Sequence, residues 1–259
     1  MPEAAILKVQ GLAKNYSGVT AISELSFEVE PGRIKSVIGP NGAGKTTLIN
    51  MITGFLKPSA GEIVFNGRTI SGLPPNRVAA QGVARTFQTV ELFKGMTVLE
   101  NVMVGCHGKS RKGLFSSALF LPGVRREEKE IKERSMGYLE QVGLAACARQ
   151  KAGNLPLGDQ KMLEVARALA SGPRLLLLDE PAAGLNEKET HRAARIIQGI
   201  KKAGATIILV EHDMKMVMSI SDEVLVINFG SKISEGPPEV VKRDPAVITA
   251  YLGEEDQYA

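Results

Sequence analysis

Polar and apolar residues alternate in parts of the chain, and this alternation predicts strands with one solvent-facing side. Residues 6–9 and 25–29 are predicted strands, and the alternation is clearest from Leu25 to Val29. Glu62 to Arg68 predicts a strand that enters a tight turn, because Asn66-Gly67 supplies two residues that tolerate positive φ. Together these segments predict an antiparallel patch.

Three further apolar runs show no alternation; they are Ile34 to Ile38, Leu175 to Leu178 and Thr206 to Val210. Such runs are typical of strands that helices cover on both faces. Each run ends in a polar or Gly-rich stretch and is followed by a helical pattern, which predicts an α/β fold with a parallel sheet. Ligands of such sheets bind beyond the carboxyl ends of the strands, so candidate functional residues are expected there.

The segment between the first and second of these runs contains a helical insertion. Residues 93–154 have no strand pattern, and Arg125 to Leu144 is charged with regularly spaced apolar residues, which predicts a helix. Its apolar positions are Ile131, Leu139 and Val142. Residues 107–123 are rich in Gly and Ser and predict a loop or short lid.

These patterns predict one domain over residues 1–253. Its core, with the antiparallel β subdomain, comprises 1–89 and 171–253, and a helical subdomain occupies about 90–170. Residues 254–259 are predicted to form a short acidic tail. A chain of 259 residues that is 44% hydrophobic and 23% charged has room for an ordinary core without metal or disulfide crosslinks.

Charge, cysteine content and the length of the apolar runs limit the classes of protein to which the chain can belong. The 32 basic and 28 acidic residues leave a net charge of only +4, which does not argue for a nucleic-acid partner. Two cysteines, Cys106 and Cys147, form neither a disulfide framework nor a metal-binding spacing. The first residues lack the pattern of a signal peptide, and the apolar runs are too short to span a bilayer.

The strongest chemical signal is a match to G-x-x-x-x-G-K-[ST], which follows the strand at 34–38 and opens a predicted helix at 46–52. The loop comprises Gly39, Pro40, Asn41, Gly42, Ala43, Gly44, Lys45, Thr46 and Thr47. Its glycines let backbone N–H groups converge on phosphates at a helix N-terminus. Lys45 is expected to reach the β- and γ-phosphates, and the Thr46 hydroxyl is expected to bind Mg²⁺. A chance Gly-rich turn is the alternative.

A pair of carboxylates follows the second apolar run. Asp179 at the strand end is expected to complete the Mg²⁺ shell opposite Thr46, and Glu180 is expected to polarise an attacking water. The alternative is an ordinary acidic strand terminus. The phosphate loop nearby favours the functional interpretation.

These two motifs, with the helical insertion between them, resemble the nucleotide-binding domain of ABC transporters. The resemblance implies that Tyr16 stacks on adenine, Gln88 contacts Mg²⁺ and senses a membrane partner, and His212 contacts the γ-phosphate. A core or turn tyrosine, a solvated glutamine and a structural histidine are the corresponding alternatives. The implied fold is an ABC-type P-loop ATPase domain.

The signature position of this family, usually Leu-Ser-Gly-Gly-Gln, is occupied here by Leu155 to Gln160. Pro156 stands where a serine hydroxyl usually binds the γ-phosphate, and proline offers neither hydroxyl nor N–H. Gly158 and the N-terminus of a predicted helix at 159–170 still offer backbone donors to the nucleotide. Asn186 stands where the loop after the paired carboxylates usually ends in Asp.

The resemblance is greatest to the ATPase subunits of branched-chain amino acid importers. It rests on five stretches: Gly39 to Thr47, Arg85 to Gln88, Glu180 to Asn186, Val210 to Met214 and Asp244 to Gly253. Amide, urea and lipopolysaccharide transport ATPases are near relatives. A soluble ABC-type ATPase without a membrane partner, and a module that holds ATP without turnover, are the alternatives from other classes.

The resemblance also implies partners and a location. A second ATPase subunit, identical or different, is expected to sandwich two ATP molecules head to tail, with Gly158 facing the phosphate loop of the other copy. Integral membrane permeases, and indirectly a solute-binding protein, are the other implied partners; nucleic acid is not. The implied location is peripheral, at the cytoplasmic face of the inner (plasma) membrane. A permease helix is expected in a groove from about Glu91 to Val104, whose apolar floor is Leu92, Phe93, Met96 and Val98.

Overall fold

The computed structural model describes residues 4–106 and 122–255. Within these residues the strands are β1 (Leu7–Tyr16), β2 (Val19–Val29), β3 (Ile34–Ile38), β4 (Ala60–Phe65), β5 (Arg68–Thr69), β6 (Val83–Arg85), β7 (Leu175–Asp179), β8 (Thr206–Val210), β9 (Glu223–Asn228) and β10 (Ser231–Gly236). The α-helices are α1 (Lys45–Ile52), α2 (Pro75–Gln81), α3 (Val98–Cys106), α4 (Pro122–Gln141), α5 (Leu157–Ala170), α6 (Glu187–Lys202), α7 (Met214–Ile220), α8 (Pro238–Val241) and α9 (Pro245–Glu255).

The smaller sheet is antiparallel, with the order β2-β1-β4-β5. The alternation in Leu25, Phe27 and Val29 buries these side chains on one face, as predicted. Asn66 and Gly67 both have positive φ, 48° and 71°, so the predicted tight turn joins β4 to β5. Both β1 and β2 extend beyond the predicted segments, because register shifts let the pair continue to Tyr16.

The larger sheet has the order β10-β9-β3-β8-β7-β6, and only β10 runs antiparallel to its neighbour. All residues of β3, β7 and β8 are buried, which confirms the prediction of strands covered on both faces. The sequence interpretation missed β9, although Val224 to Ile227 carries the same apolar signal. It also missed β6, which at three residues is too short for a pattern.

The helical insertion packs α3, α4 and α5 against one another and against one face of the large sheet. The predicted helix at 125–144 is α4, which ends earlier, at Gln141. Gly143 follows with φ +73°, and Leu144 N–H donates to the Leu139 carbonyl, so a left-handed glycine closes the helix. The segment predicted as a loop or lid lies almost wholly outside the described residues.

Helix α9 extends through Glu255, so the first two residues of the predicted acidic tail are helical. The rest of that tail lies outside the described residues. The opposite face of the large sheet packs on α1 and the antiparallel sheet in a second core cluster. Across the described part of the chain, no helix combines the length and the apolar character needed to cross a membrane.

Candidate phosphate-binding and catalytic site

The predicted phosphate loop connects β3 to α1 and is held close to the rest of the fold. Gly39 has φ +155°, and a Cβ there would lie 2.0 Å from the Ile227 carbonyl oxygen. Gly44 has φ +104°, and a Cβ there would lie 2.6 Å from the Ala21 carbonyl oxygen. Glycine is therefore required at both positions by backbone conformation and by close packing. The loop is pinned between β9 and β2.

Lys45 is the first residue of α1, and its ammonium group lies over the loop. Its Nζ donates to the carbonyls of Gly39 at 2.6 Å and Pro40 at 2.9 Å. Gly44, the residue before the helix, supplies no side-chain cap, and the first N–H groups of an α-helix have no intrahelical acceptor. The loop thus combines a cation with backbone donors at a helix N-terminus, which suits a phosphate chain.

Asp179 ends β7 and is buried beside Arg85 of the neighbouring strand. Its Oδ2 accepts a hydrogen bond from Arg85 Nη2 at 3.2 Å, and its N–H donates to Thr86 Oγ1. Burial raises the pKa of the Asp179 carboxyl, and the positive charges of Arg85 and Lys45 act in the opposite direction. Strands β3 and β7 both run parallel to β8, so the phosphate loop after β3 and the paired carboxylates after β7 lie at the same end of the sheet.

Glu180, the second carboxylate, has a left-handed backbone with φ +50°. Its N–H donates to the Val210 carbonyl at 2.9 Å, at the end of the adjacent strand β8. Its Oε2 accepts a hydrogen bond from Gln88 Nε2 at 3.0 Å. The fold therefore brings together Glu180 and Gln88, two predicted site residues that are far apart in the sequence.

Sequence reasoning singled out the stretch Arg85 to Gln88 but missed the part played by Arg85. The guanidinium contacts Asn50 Oδ1 at 2.7 Å and Thr53 Oγ1 at 3.2 Å. It also lies 4.6 Å from the ring centre of Phe87 and 5.4 Å from that of Phe55. Arg85 thereby joins the end of α1 to the segment that carries Gln88.

His212 follows β8, and its side chain is 64% exposed. Exposure at a strand end suits a group that contacts a bound ligand, whereas a structural histidine is usually enclosed. Glu211, beside it, was missed by sequence reasoning. This buried carboxylate accepts hydrogen bonds from the N–H groups of Ala182 at 2.7 Å and His212 at 3.1 Å. Burial raises the pKa of Glu211.

A third residue that sequence reasoning missed is Lys161, a buried lysine of α5. Its Nζ donates to the backbone carbonyl of Glu180 at 2.8 Å. Burial lowers the pKa of this ammonium, and surrounding carboxylates oppose that change. No sequence signal marked it, because a lysine within an amphipathic helix normally faces solvent.

The signature position lies at the start of α5, which begins at Leu157, two residues earlier than predicted. Pro156 is the N-cap and makes no side-chain cap. Gly158 is buried in the first turn, and Asp159 Oδ1 pairs with Arg192 Nη1 of α6 at 2.7 Å. The helix start is therefore where the sequence placed it, within two residues, and its role as a source of backbone donors to a nucleotide stays a prediction.

Two further predicted positions have distinct surroundings. Asn186 caps α6 in a reciprocal capping box with Glu189, so it shapes the loop that follows the paired carboxylates. Tyr16 ends β1 and is half-exposed, which excludes a core tyrosine. The hairpin that it begins continues into β2, whose Ala21 borders Gly44 of the phosphate loop.

The predicted permease groove is corrected at one position. Val98 is fully buried within the helical core, because it begins α3 and faces inward, so it cannot form an apolar floor. Phe93 and Met96 are exposed, and so are Phe55 and Phe87 beside Arg85. Leu92 is partly buried.

Comparison with known proteins reveals relatives across nearly the whole chain. The family model "ABC transporter" matches residues 22–183, and the model "Branched-chain amino acid ATP-binding cassette transporter" matches residues 231–257. The chain is 46% identical to the high-affinity branched-chain amino acid transport ATP-binding protein LivG of Escherichia coli K12, covering 96% of this chain and 98% of that protein. It is 45% identical to BraF of Pseudomonas aeruginosa, with the same coverage.

Solved structures agree with the sequence relatives. The ADP conformation of MJ1267, an ATP-binding cassette of an ABC transporter, is similar with a TM-score of 0.84 and 34% identity, covering 96% of this chain and 99% of that one. A nucleotide-free ATP-binding cassette from an ABC transporter is similar with a TM-score of 0.82 and 33% identity, at the same coverage. The predicted α/β fold of this type is thus confirmed.

Proposed function

Because the chain belongs to the ABC transporter family, whose activity is ATP hydrolysis, we propose that it is the ATPase subunit that powers an importer of branched-chain amino acids. The near-complete coverage of LivG and BraF, and the second family match at 231–257, support this solute class. The ATPase activity is best supported by the position of Glu180. Its carboxylate accepts a hydrogen bond from Gln88, and it follows β7 in the sheet whose strand β3 leads into the phosphate loop.

In the proposed mechanism the phosphate loop holds the nucleotide by its phosphates. Backbone N–H groups of residues 39–47 and the N-terminus of α1 bind the anion, and Lys45 exchanges its bonds to the Gly39 and Pro40 carbonyls for phosphate oxygens. Tyr16 stacks on the adenine ring. The adjacency of its hairpin to Gly44 supports this role.

Thr46, Gln88 and Asp179 offer a hydroxyl, an amide oxygen and a carboxylate, which are the oxygen ligands that Mg²⁺ prefers. Magnesium bound there would neutralise phosphate charge. Asp179 lies 3.2 Å from the Arg85 guanidinium, whose positive charge favours the carboxylate form that a metal ligand needs. The amide N–H of Gln88 donates a hydrogen bond to the Glu180 carboxylate, and this bond turns the amide oxygen of Gln88 away from that carboxylate.

Glu180 is proposed to accept a proton from the water that attacks the γ-phosphate in line. Lys45 and His212 would stabilise the charge that develops on the transferred group. His212 can reach a ligand because its side chain is mostly exposed. The strained backbone at Glu180 is typical of a position that function, rather than folding, requires.

A second copy is proposed to complete each site. The start of α5 at Gly158 would face the phosphates bound by the other copy and supply backbone donors. ATP would then form part of the interface and favour dimers by mass action. Loss of the γ-phosphate would weaken that interface, so hydrolysis would be converted into separation of the two copies.

Membrane permeases are the proposed partners that receive this motion, together with a solute-binding protein that contacts them. Phe93 and Met96, near Gln88 in the chain, provide the exposed apolar surface for a permease helix. Attachment would be peripheral, at the cytoplasmic face of the plasma membrane. We propose the core at 1–89 and 171–253 and the helical subdomain at about 90–170 as the two moving parts.

Reconstitution tests the function. The chain is assembled with its permeases and solute-binding protein in proteoliposomes, and ATP hydrolysis is measured with leucine, with urea, with a short aliphatic amide and with lipopolysaccharide. We expect leucine to stimulate hydrolysis. Stimulation by another of these solutes alone would contradict the branched-chain assignment, and hydrolysis indifferent to permeases would indicate an ATPase without a membrane partner.

A further inference from the structure

The buried ammonium of Lys161 links the signature helix to the proposed catalytic carboxylate. Its Nζ lies 2.8 Å from the backbone carbonyl oxygen of Glu180, although the two residues belong to different elements of the fold. Ala183 N–H donates to the same carbonyl at 3.2 Å, and Glu180 N–H donates to Val210. These three bonds hold a residue whose φ of +50° is unfavourable for a non-glycine.

Lysine is rarely buried, because the removal of an ammonium group from water is unfavourable unless partners compensate its charge. The charged groups that act on Lys161 come from each neighbouring element: Glu164 on its own helix, Asp179 and Glu180 at the end of β7, and Glu211 after β8. Glu164 also accepts a hydrogen bond from Phe87 N–H at 3.4 Å, next to Gln88. The cluster therefore surrounds the site instead of lying in a remote core.

Position along α5 adds a mechanical consequence. Lys161 is three residues after Gly158, so the two residues lie on the same side of α5 near its start, joined by regular helix. Gly158 is the proposed contact to the nucleotide of the other copy. A shift of the helix start on nucleotide binding would therefore be transmitted through Lys161 to the backbone of Glu180.

We propose that Lys161 is a positioning residue for ATP hydrolysis, which couples the signature helix to the geometry of Glu180. The inference rests on the proposed role of Glu180 as the base. Displacement of a catalytic group by about 1 Å costs roughly 100-fold in rate, so loss of this bond is expected to reduce turnover far more than nucleotide binding.

The test compares kcat, KM and ATP affinity of the full chain with those of K161M and K161R. We expect K161M to lower kcat roughly 10- to 100-fold with ATP affinity changed less than about twofold, and K161R, which keeps the charged donor, to recover most of the rate. K161Q takes the place of K161M if that variant does not fold. K151M is the matched control, because Lys151 Nζ also donates to a backbone carbonyl, that of Gly95 at 2.7 Å, but at the surface.

If Lys161 has a purely structural role, we expect K161M to lower thermal stability and to leave the kcat of the folded fraction unchanged. A second contrary result would be a low kcat in K161M that K161R does not restore. Either finding overturns the proposal. E180Q, measured in parallel, distinguishes a failure of the proposed base role of Glu180 from a failure of the positioning role of Lys161. If E180Q hydrolyses ATP at the normal rate, the base assignment in the proposed function fails; if E180Q is inactive and K161M is normal, only the role of Lys161 fails.

Discussion

Arg85 and Asp179 form a buried ion pair across the neighbouring parallel strands β6 and β7, with 3.2 Å between Nη2 and Oδ2. Their side chains are only 9% and 6% exposed. Arg85 also binds Asn50 and Thr53 and lies against Phe87, so one guanidinium organises the end of α1 and the start of the segment that leads to Gln88.

Removal of Arg85 is expected to destabilise the protein strongly. R85M leaves the Asp179 carboxylate buried without its partner, which costs about 3–5 kcal/mol of unfolding free energy. The matched control is R192M, because Arg192 pairs with Asp159 where the two side chains are 40% and 20% exposed. That pair is expected to contribute about 1 kcal/mol or less. Urea unfolding checks both, and equal losses would contradict the importance of burial.

Loss of the loop lysine is expected to abolish tight nucleotide binding. K45A removes an ammonium whose bonds to phosphate oxygens are worth about 1.5–3 kcal/mol each, so two such bonds correspond to roughly a 100-fold weaker ATP affinity or more. Titration calorimetry measures the dissociation constant, with thermal unfolding as the control for folding. An unchanged ATP affinity would remove Lys45 from the phosphate site.

The paired carboxylates are tested by a neutral substitution at the second one. E180Q keeps the shape and is expected to bind ATP normally, to hydrolyse it roughly 100- to 10,000-fold more slowly, and to accumulate as a nucleotide-bound dimer. E187Q, at an exposed carboxylate in the first turn of α6, is the matched control and should keep its activity. Steady-state hydrolysis and size-exclusion chromatography with ATP check the result; near-normal turnover by E180Q would show that another group activates the water.

Glu211 is expected to make stability depend on pH. Burial raises its pKa above the ordinary value of 4.5, so the folded state binds the proton more tightly than the unfolded state. This contribution to the free energy of unfolding is fully present below pH 4.5, the ordinary pKa, and is lost as the pH rises through the raised pKa of the folded state.

E211Q cannot titrate, so it isolates this contribution. The unfolding free energy of the natural protein relative to E211Q should be highest near pH 4.5 and below, and should fall as the pH increases. The amide also accepts fewer of the N–H groups of Ala182 and His212, which is a cost independent of pH. Urea unfolding across this range checks the slope, and a constant difference between the two proteins would contradict it.

Pro156 allows the missing signature hydroxyl to be restored. In P156S the serine side chain can cap the helix, which stabilises the fold by about 1 kcal/mol. Loss of proline gives the unfolded chain more conformational entropy, which destabilises the fold by about 0.4–1 kcal/mol, so the free energy of unfolding should change little. A hydroxyl donor to a charged phosphate is worth about 1.5 kcal/mol, so in the E180Q background half-maximal dimer should form at roughly tenfold lower ATP concentration. Light scattering measures this midpoint, and an unchanged midpoint would exclude a phosphate contact at this position.

The local features were predictable because each depends on neighbouring residues alone. The phosphate loop requires contiguous glycines between a strand and a helix, and β7 with Asp179 and Glu180 is one apolar run that ends in two acids. Periodicity identified the antiparallel strands and α4 for the same reason. It did less well at ends, where Gly143 closes α4 early and where β1 continues through register shifts.

The sequence by itself therefore determined the fold class, the nucleotide loop and the paired carboxylates, because each depends on residues that are neighbours in the chain or on the hydrophobic period of one short segment. Only the tertiary structure decided what faces these groups: Arg85 against Asp179, Gln88 and Lys161 against Glu180, and Val98 turned into the core. Those contacts join residues far apart in the chain, and they depend on strand order and helix packing, which no local pattern encodes.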